Sequence, residues 1–356
     1  MKSSFKLVSL FGIPVEIHVS FILFFVLFLP LGWGGVFFFV TVFSFVVLHE
    51  LAHSLVAKAG GVPVERIVLI FFGGVANVEV PENPRLELAM ASAGPAFNLV
   101  VVGLCFVLIH FSGVASLGYL DVISPEDFAF TGGHVLHTVM YVNLLLALFN
   151  IVPGFPMDGG RVLRAILALR MDYLAATQLS VSVGQQLIFP LLLVVGILDG
   201  NIILMVISFA LFVTSGSELK IVKFRRAFRG LKVSDLANRN VAKVDGTTLV
   251  SDFILHLMDS SQASHYVVYG EGGRVLGVMD LRDVKDVGGN LSKPLSGFAT
   301  QKYSVLDASA QVSDNVKDVL SADFMLVVSD KKVVGYLTHN LVADAYYRRG
   351  LKRLVS

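Results

Sequence analysis

Apolar runs broken by short polar turns fill the first 219 residues of the chain, and the pattern ends abruptly at Lys220. Residues 11–18 alternate loosely and contain Pro14, which predicts a short strand or interfacial segment. A first span follows at 19–33, short for a bilayer, with Trp33 as an interfacial anchor. The run 36–58 predicts a second spanning helix, ended by Gly60 and Gly61. Residues 62–80 are too short and too β-branched to span; Gly73 and Gly74 divide them as a hairpin or re-entrant turn would. Further spans at 86–111, 134–151, 179–198 and 202–219 make six. Residues 112–131 carry Asp121, Glu126 and Asp127 and no basic residue, and read as an external loop.

Composition agrees with this division. Hydrophobic residues make up 55% of the 356 and charged residues only 15%, well outside the range of soluble chains. No Lys or Arg occurs in 7–57, 86–160 or 171–219, whereas ordinary charge density returns beyond Lys220. The expected architecture is a membrane α-helical domain (1–220) with a small membrane-associated β segment, a linker (221–230), and an α/β soluble domain (231–356). Basic residues flank the spans on one side only: Lys2, Lys6, Lys58, Arg66, Arg85, Arg161, Arg164, Arg170 and those from Lys220 onward. By the positive-inside rule both termini face the cytoplasm of a multi-pass cell-membrane protein. The net charge of +1, without a basic patch interleaved with aromatics, gives no reason to expect nucleic acid. The single Cys105 rules out intrachain disulfides and cysteine metal clusters, and no cleavage site for a signal peptide is apparent.

The second span carries the chemistry. His49, Glu50 and His53 form His-Glu-x-x-His. Residues four apart share a helix face, so the two imidazoles can hold one metal ion while Glu50 addresses a water on it. Ionisable groups inside a bilayer are costly and are functional candidates by default; the competing reading is a core cluster whose members satisfy one another. Residues 150–161, with Pro153, Pro156, Gly154, Gly159 and Gly160, must unwind a helix and could aim Asp158 at the metal. His53 lies five residues before Lys58 and Asp158 three before Arg161, so both reach the same third of the bilayer. The small residues 91–96 permit close helix approach, and Asn98 could orient a ligand histidine or bond a neighbouring backbone. The strand region 62–80 could pair its edge with an unwound peptide or merely cap the helix. His18, His110, His134 and His137 carry no assignment.

His49-Glu50-Leu51-Ala52-His53, Gly94-Pro95-x-x-Asn98 and Asn150-x-x-Pro153-x-x-Pro156-x-Asp158-Gly159 together resemble the site-2 protease family of intramembrane zinc metalloproteases. The resemblance implies one zinc ion per chain held by His49, His53 and Asp158, with Glu50 as the base and Asn150 as an oxyanion partner. It implies a membrane-protein substrate cut within or near its transmembrane helix. Gly73, Gly74, Asn77 and Asn98 are the candidate substrate contacts.

The tail repeats itself. Val250-Ser251-Asp252 recurs as Val312-Ser313-Asp314, and Gly277-Val278-Met279-Asp280 is echoed by Gly335-Tyr336-Leu337-Thr338, about 60 residues on. This resembles a tandem pair of CBS domains, at about 231–290 and 293–346. Such pairs often bind adenine nucleotide through a hydroxyl and, three residues on, an Asp. Here the first copy has Asp283 but Asp280 at the hydroxyl position; the second has Thr338 but Leu341 at the acidic one. Neither nucleotide site is complete, so a homodimerisation or substrate-gating module stands beside nucleotide binding. Two other readings of the whole remain: a CBS-gated metal or ion transporter using the same His/Asp cluster, and a catalytically dead membrane scaffold. Glu50 separates protease from transporter, because an ion in transit has no use for a general base between its ligands.

Overall fold

The computed structural model describes residues 4–70, 73–78, 82–113, 132–260, 265–280 and 291–355. The chain divides into two compact units, Met1–Leu219 and Lys220–Ser356.

The first unit begins with a hairpin of β1 (Ser4–Leu10) and β2 (Ile13–His18), turned at Phe11 and Gly12 with φ of 50° and 81°. Helix α1 (Val19–Val26) follows, then a 3-10 turn (Leu29–Leu31), then the long helix α2 (Gly32–Ala59). Strands β3 (Val64–Ile70) and β4 (Gly73–Val78) complete a four-stranded sheet in the order β1-β2-β3-β4. β2 and β3 pair in parallel, Val15 opposite Ile67 and Ile17 opposite Leu69; the other two pairings are antiparallel. The helices between β2 and β3 therefore form the crossover of a βαβ unit, and Ile13 and Ile67 pack on Leu51 of α2. The strand at 4–10 and the joining of both hairpins into one sheet were not expected from the sequence.

The expected first span, 19–33, is a short helix joined to α2 through a 3-10 turn rather than one regular spanning helix. α1 has eight residues, about 12 Å of helix against a hydrocarbon core of about 30 Å. Pro30 and Gly32 end it, and it folds back on α2, with Phe21 centred 4.7 Å from Phe43 and Phe28 4.9 Å from Phe39. Among the described residues, five helical segments are long and apolar enough to cross a membrane: Val19–Ala59, Pro84–Ser112, Gly132–Ile151, Tyr173–Leu198 and Ile202–Phe228.

Helix α3 (Pro84–Ser112) is started by Pro84 at its first position and by the Asn83 side chain, which accepts from Leu86 N–H at 3.3 Å. Most of the expected external loop 112–131 lies outside the described residues. α4 (Gly132–Ile151) leads into a turn at 152–157, then α5 (Asp158–Ala168). α6 (Tyr173–Val183) continues through a π-helical turn (Gly184–Ile188) into α7 (Phe189–Leu198).

α8 (Ile202–Phe228) runs unbroken through most of 221–230, where the sequence suggested a linker. The second unit contains two three-stranded sheets of the same design. β5 (Ala242–Asp245) lies parallel to β6 (His265–Tyr269), which is antiparallel to β7 (Val275–Asp280). β8 (Ser304–Asp307), β9 (Phe324–Ser329) and β10 (Lys332–Thr338) repeat that arrangement. Asp245 and Asp307 end their first strands alike, each accepting from a backbone N–H and a hydroxyl two residues on. Those bonds hold both carboxyls below the usual carboxylate range.

Candidate metal centre

On α2, one turn separates His49 from His53, and their Nε2 atoms stand 3.1 Å apart. Asp158, the first residue of α5, brings Oδ2 to 3.1 Å from His49 Nε2 and 3.0 Å from His53 Nε2. These three atoms form the one potential metal cluster found among the described residues.

The surroundings fix the tautomers. Asn143 donates its amide to the Val139 carbonyl at 2.8 Å, so its oxygen accepts from the Asn98 amide at 2.7 Å. That turns Asn98 Oδ1 toward His49 Nδ1, which donates to it. His53 Nδ1 faces the Met90 carbonyl at 2.6 Å and donates likewise. In the neutral rings the proton sits on Nδ1 and each Nε2 presents a lone pair, as does Asp158 Oδ2. Three acceptors then converge at hydrogen-bond distance, an arrangement that suits a cation. The edge lengths also fit: ligands at about 2.0–2.1 Å from zinc are separated by roughly 3.3 Å across a tetrahedral edge.

Two places without side chains make this possible. A Cβ on Gly94 of α3 would lie 2.3 Å from His53 Nε2 and 2.6 Å from His49 Nε2. On the α5 side, a Cβ on Gly159 would lie 2.2 Å from the Ile151 carbonyl oxygen, and one on Gly160 2.6 Å from Phe155 N. Bare glycines thus let the first turn of α5 sit directly on the unwound segment, with Phe155 and Met157 buried beneath it.

Glu50 lies under β4, where a Cβ on Gly74 would be 2.8 Å from Glu50 Cγ. Among the described residues β4 is an edge strand, paired only with β3, and its Gly74 adjoins Glu50. Gly73 and Asn77 lie on the same strand. Asn98, grouped with these as a substrate contact, is fully buried, and its amide is taken up by His49 and Asn143. The structure makes it the residue that orients His49. Asn150 donates one amide hydrogen to the Leu146 carbonyl at 2.9 Å. It also lines a mostly apolar cavity of about 420 Å³ with Pro95, Leu99, Pro153 and Gly159.

The sequence reading missed a buried charge group. Arg164 is 2% exposed and Glu87 1%; Arg164 Nε donates to Glu87 at 2.8 Å, and Nη2 makes a second, closer contact with the same oxygen. Tyr173 donates to the other Glu87 oxygen at 2.9 Å. Glu218 lies 3.3 Å from Arg164 and 3.6 Å from Arg161. Arg164, counted from sequence as a boundary charge, is therefore ion-paired inside the domain, while Arg161 pairs with Glu218 at a partly exposed position. In the soluble unit, Thr338 Oγ1 accepts from Leu341 N–H at 3.3 Å, which uses it at the start of a helix; Asp283 lies outside the described residues.

The sequence profile described as peptidase family M50 matches residues 37–192, and the CBS domain profile matches residues 233–289. A zinc metalloprotease of Methanocaldococcus jannaschii is 29% identical over 346 residues, covering 95% of this chain and 94% of that one. A solved site-2 protease from the same organism is 35% identical, covering 61% of this chain and 95% of its own, with a TM-score of 0.45.

Proposed function

From a chain that belongs to peptidase family M50, the site-2 type of zinc metalloprotease, and carries a CBS domain behind its membrane domain, we infer an intramembrane metalloendopeptidase acting on membrane-protein substrates. We propose His49, His53 and Asp158 as the residues that would hold one zinc ion. The observation that supports them is the convergence of three lone-pair donors within 3.1 Å.

A zinc ion held there would supply Lewis acidity to the scissile carbonyl and to the attacking water. Glu50 is proposed to take the water's proton and deliver it to the leaving amine. Asn98 keeps His49 in the Nδ1–H tautomer. The free hydrogen of the Asn150 amide is proposed to meet the carbonyl oxygen as it gains charge. A substrate helix satisfies its own backbone hydrogen bonds, so it has to unwind before its carbonyl can be attacked. The outer rim of β4, with Gly73, Gly74 and Asn77, is proposed to receive the unwound strand as an added strand. Transport through the same cluster is not favoured, since it gives Glu50 no task.

We further propose that both termini are cytoplasmic and that the CBS pair is a regulatory or dimerising module. The test of the catalytic assignment is Glu50→Gln in purified protein with a helical membrane substrate. Zinc content should stay near one per chain while cleavage falls at least about a thousandfold. Cleavage near the wild-type rate would remove Glu50 as the base.

A further inference from the structure

The charge group of buried Arg164 and Glu87 with the partly exposed Arg161 and Glu218 has no part in the proposed hydrolysis, yet it joins the helix that begins with Asp158 to two others. Two guanidiniums face two carboxylates, so the set is neutral only while all four stay together. Phe155, in the turn before Asp158, lies under the Arg164 guanidinium at 4.7 Å from ring centroid to Cζ. A stranded charge at this depth is heavily penalised, so the partners move together or not at all.

Asp158, Arg161 and Arg164 are spaced three residues apart on α5, an 11-residue helix about 16 Å long. Gly159 and Gly160 lock the first turn of that helix onto the backbone of the preceding turn. A displacement at Arg161 and Arg164 is thus passed to Asp158 as motion of one short rod.

Glu218 sits on α8, which belongs to both units. Residues up to Leu219 lie in the first unit, and Phe224, Ala227 and Phe228 are part of the second unit's hydrophobic core with Val233, Leu306 and Val327. Five residues, none of them Gly or Pro, lie between Glu218 and Phe224, which are about 9 Å apart along the helix.

We propose that Glu218 is a positioning residue for Asp158, and that α8 is the lever through which the soluble domain sets the cluster. A rotation or slide of α8, imposed where its last turns form the soluble core, shifts Glu218 against Arg161 and Arg164 and turns α5 beneath Asp158. This rests on Asp158 being a zinc ligand.

The experiment uses the full chain in lipid nanodiscs and reads zinc affinity by chelator competition, together with kcat and KM for a membrane substrate. Glu218→Gln is expected to weaken zinc binding roughly tenfold and lower kcat with little change in KM, by analogy with groups that orient ligands. Glu218→Asp should recover most of the loss. Lys220→Gly with Lys223→Gly loosens α8 at two exposed positions between Glu218 and Phe224. It should weaken zinc binding roughly threefold or more in the wild-type background and have no further effect beside Glu218→Gln, since the two act through one path.

Zinc affinity within about twofold of wild type in Glu218→Gln, or effects of loosening that simply multiply with it, would overturn the proposal. If Glu218→Gln does not fold, the loosened variant decides alone: unchanged zinc affinity rejects the lever, and weakened affinity supports it. His49→Ala runs alongside. If that variant also retains wild-type zinc affinity, the metal assignment fails, and the lever fails for that reason.

Discussion

At Gly94 the absence of one carbon decides whether two imidazoles can meet an opposing carboxylate. Gly94→Ala places a methyl where His53 Nε2 already is, and the obstacle on the other side is the backbone of α3. Alanine is the better helix former, so the protein should fold while the cluster opens. Zinc content should fall well below one per chain, and cleavage by roughly a hundredfold, as for a misplacement of about an ångström; metal analysis beside circular dichroism checks both. Asn98→Ala removes the acceptor that fixes His49 and is expected to weaken zinc binding about 10- to 100-fold, read by chelator competition. The sequence singled out the residues proposed to carry the chemistry, because His49, His53 and Asp158 fall in patterns with fixed spacing. It could not show the partner of Asn98, since that depends on Asn143, 45 residues away, and on which way two amides point.

Among the elements, the small sheet is held on its exposed flank by charge. Ser4 donates to Glu16 at 2.6 Å and Arg66 lies 3.1 Å away, so the Glu16 carboxyl is held below its usual range, the Ser4 bond being the larger cause. A lowered folded value means that stability is present above the ordinary glutamate pKa, about 4.3, and is lost as pH falls through the lower folded value. Acidification should therefore destabilise the wild type more steeply than Glu16→Gln, as thermal unfolding from pH 7 to pH 3 would reveal. A parallel slope in both proteins would remove this role. The buried pair predicts a larger effect: Glu87→Ala leaves buried Arg164 with Glu218 as its remaining carboxylate and should cost up to about 3–5 kcal/mol, seen as a drop in thermal stability. Hydrophobic periodicity located the spans but not their form, because α1 is apolar enough to continue and only Pro30 and Gly32 show that it stops after eight residues. The ion pairs of α5 could not be read from it, since Glu87, Arg164 and Glu218 reach one place from three separate helices.

For the whole molecule, the division at Lys220 was visible as a change in charge density, and the internal repeat anticipated the paired sheets. The continuity of α8 across that division was not visible, because the positive cluster from Lys220 to Arg226 reads as a membrane boundary whether or not the helix continues. The proposed orientation predicts that a cysteine introduced near residue 125 is labelled by a membrane-impermeant thiol reagent in intact cells, whereas one at 271 is not. Labelling at 271 alone would reverse the topology.

Asp158 follows His49 by 109 residues and His53 by 105. On the proposed ligand set, a ribosome that has delivered α2 to the membrane has made two imidazoles and a base but no third ligand. The carboxylate is translated only after α3 and α4. The growing chain thus passes through the insertion machinery, itself built of transmembrane helices, as an inert precursor. Its capacity to cut is withheld until most of the membrane domain has been synthesised.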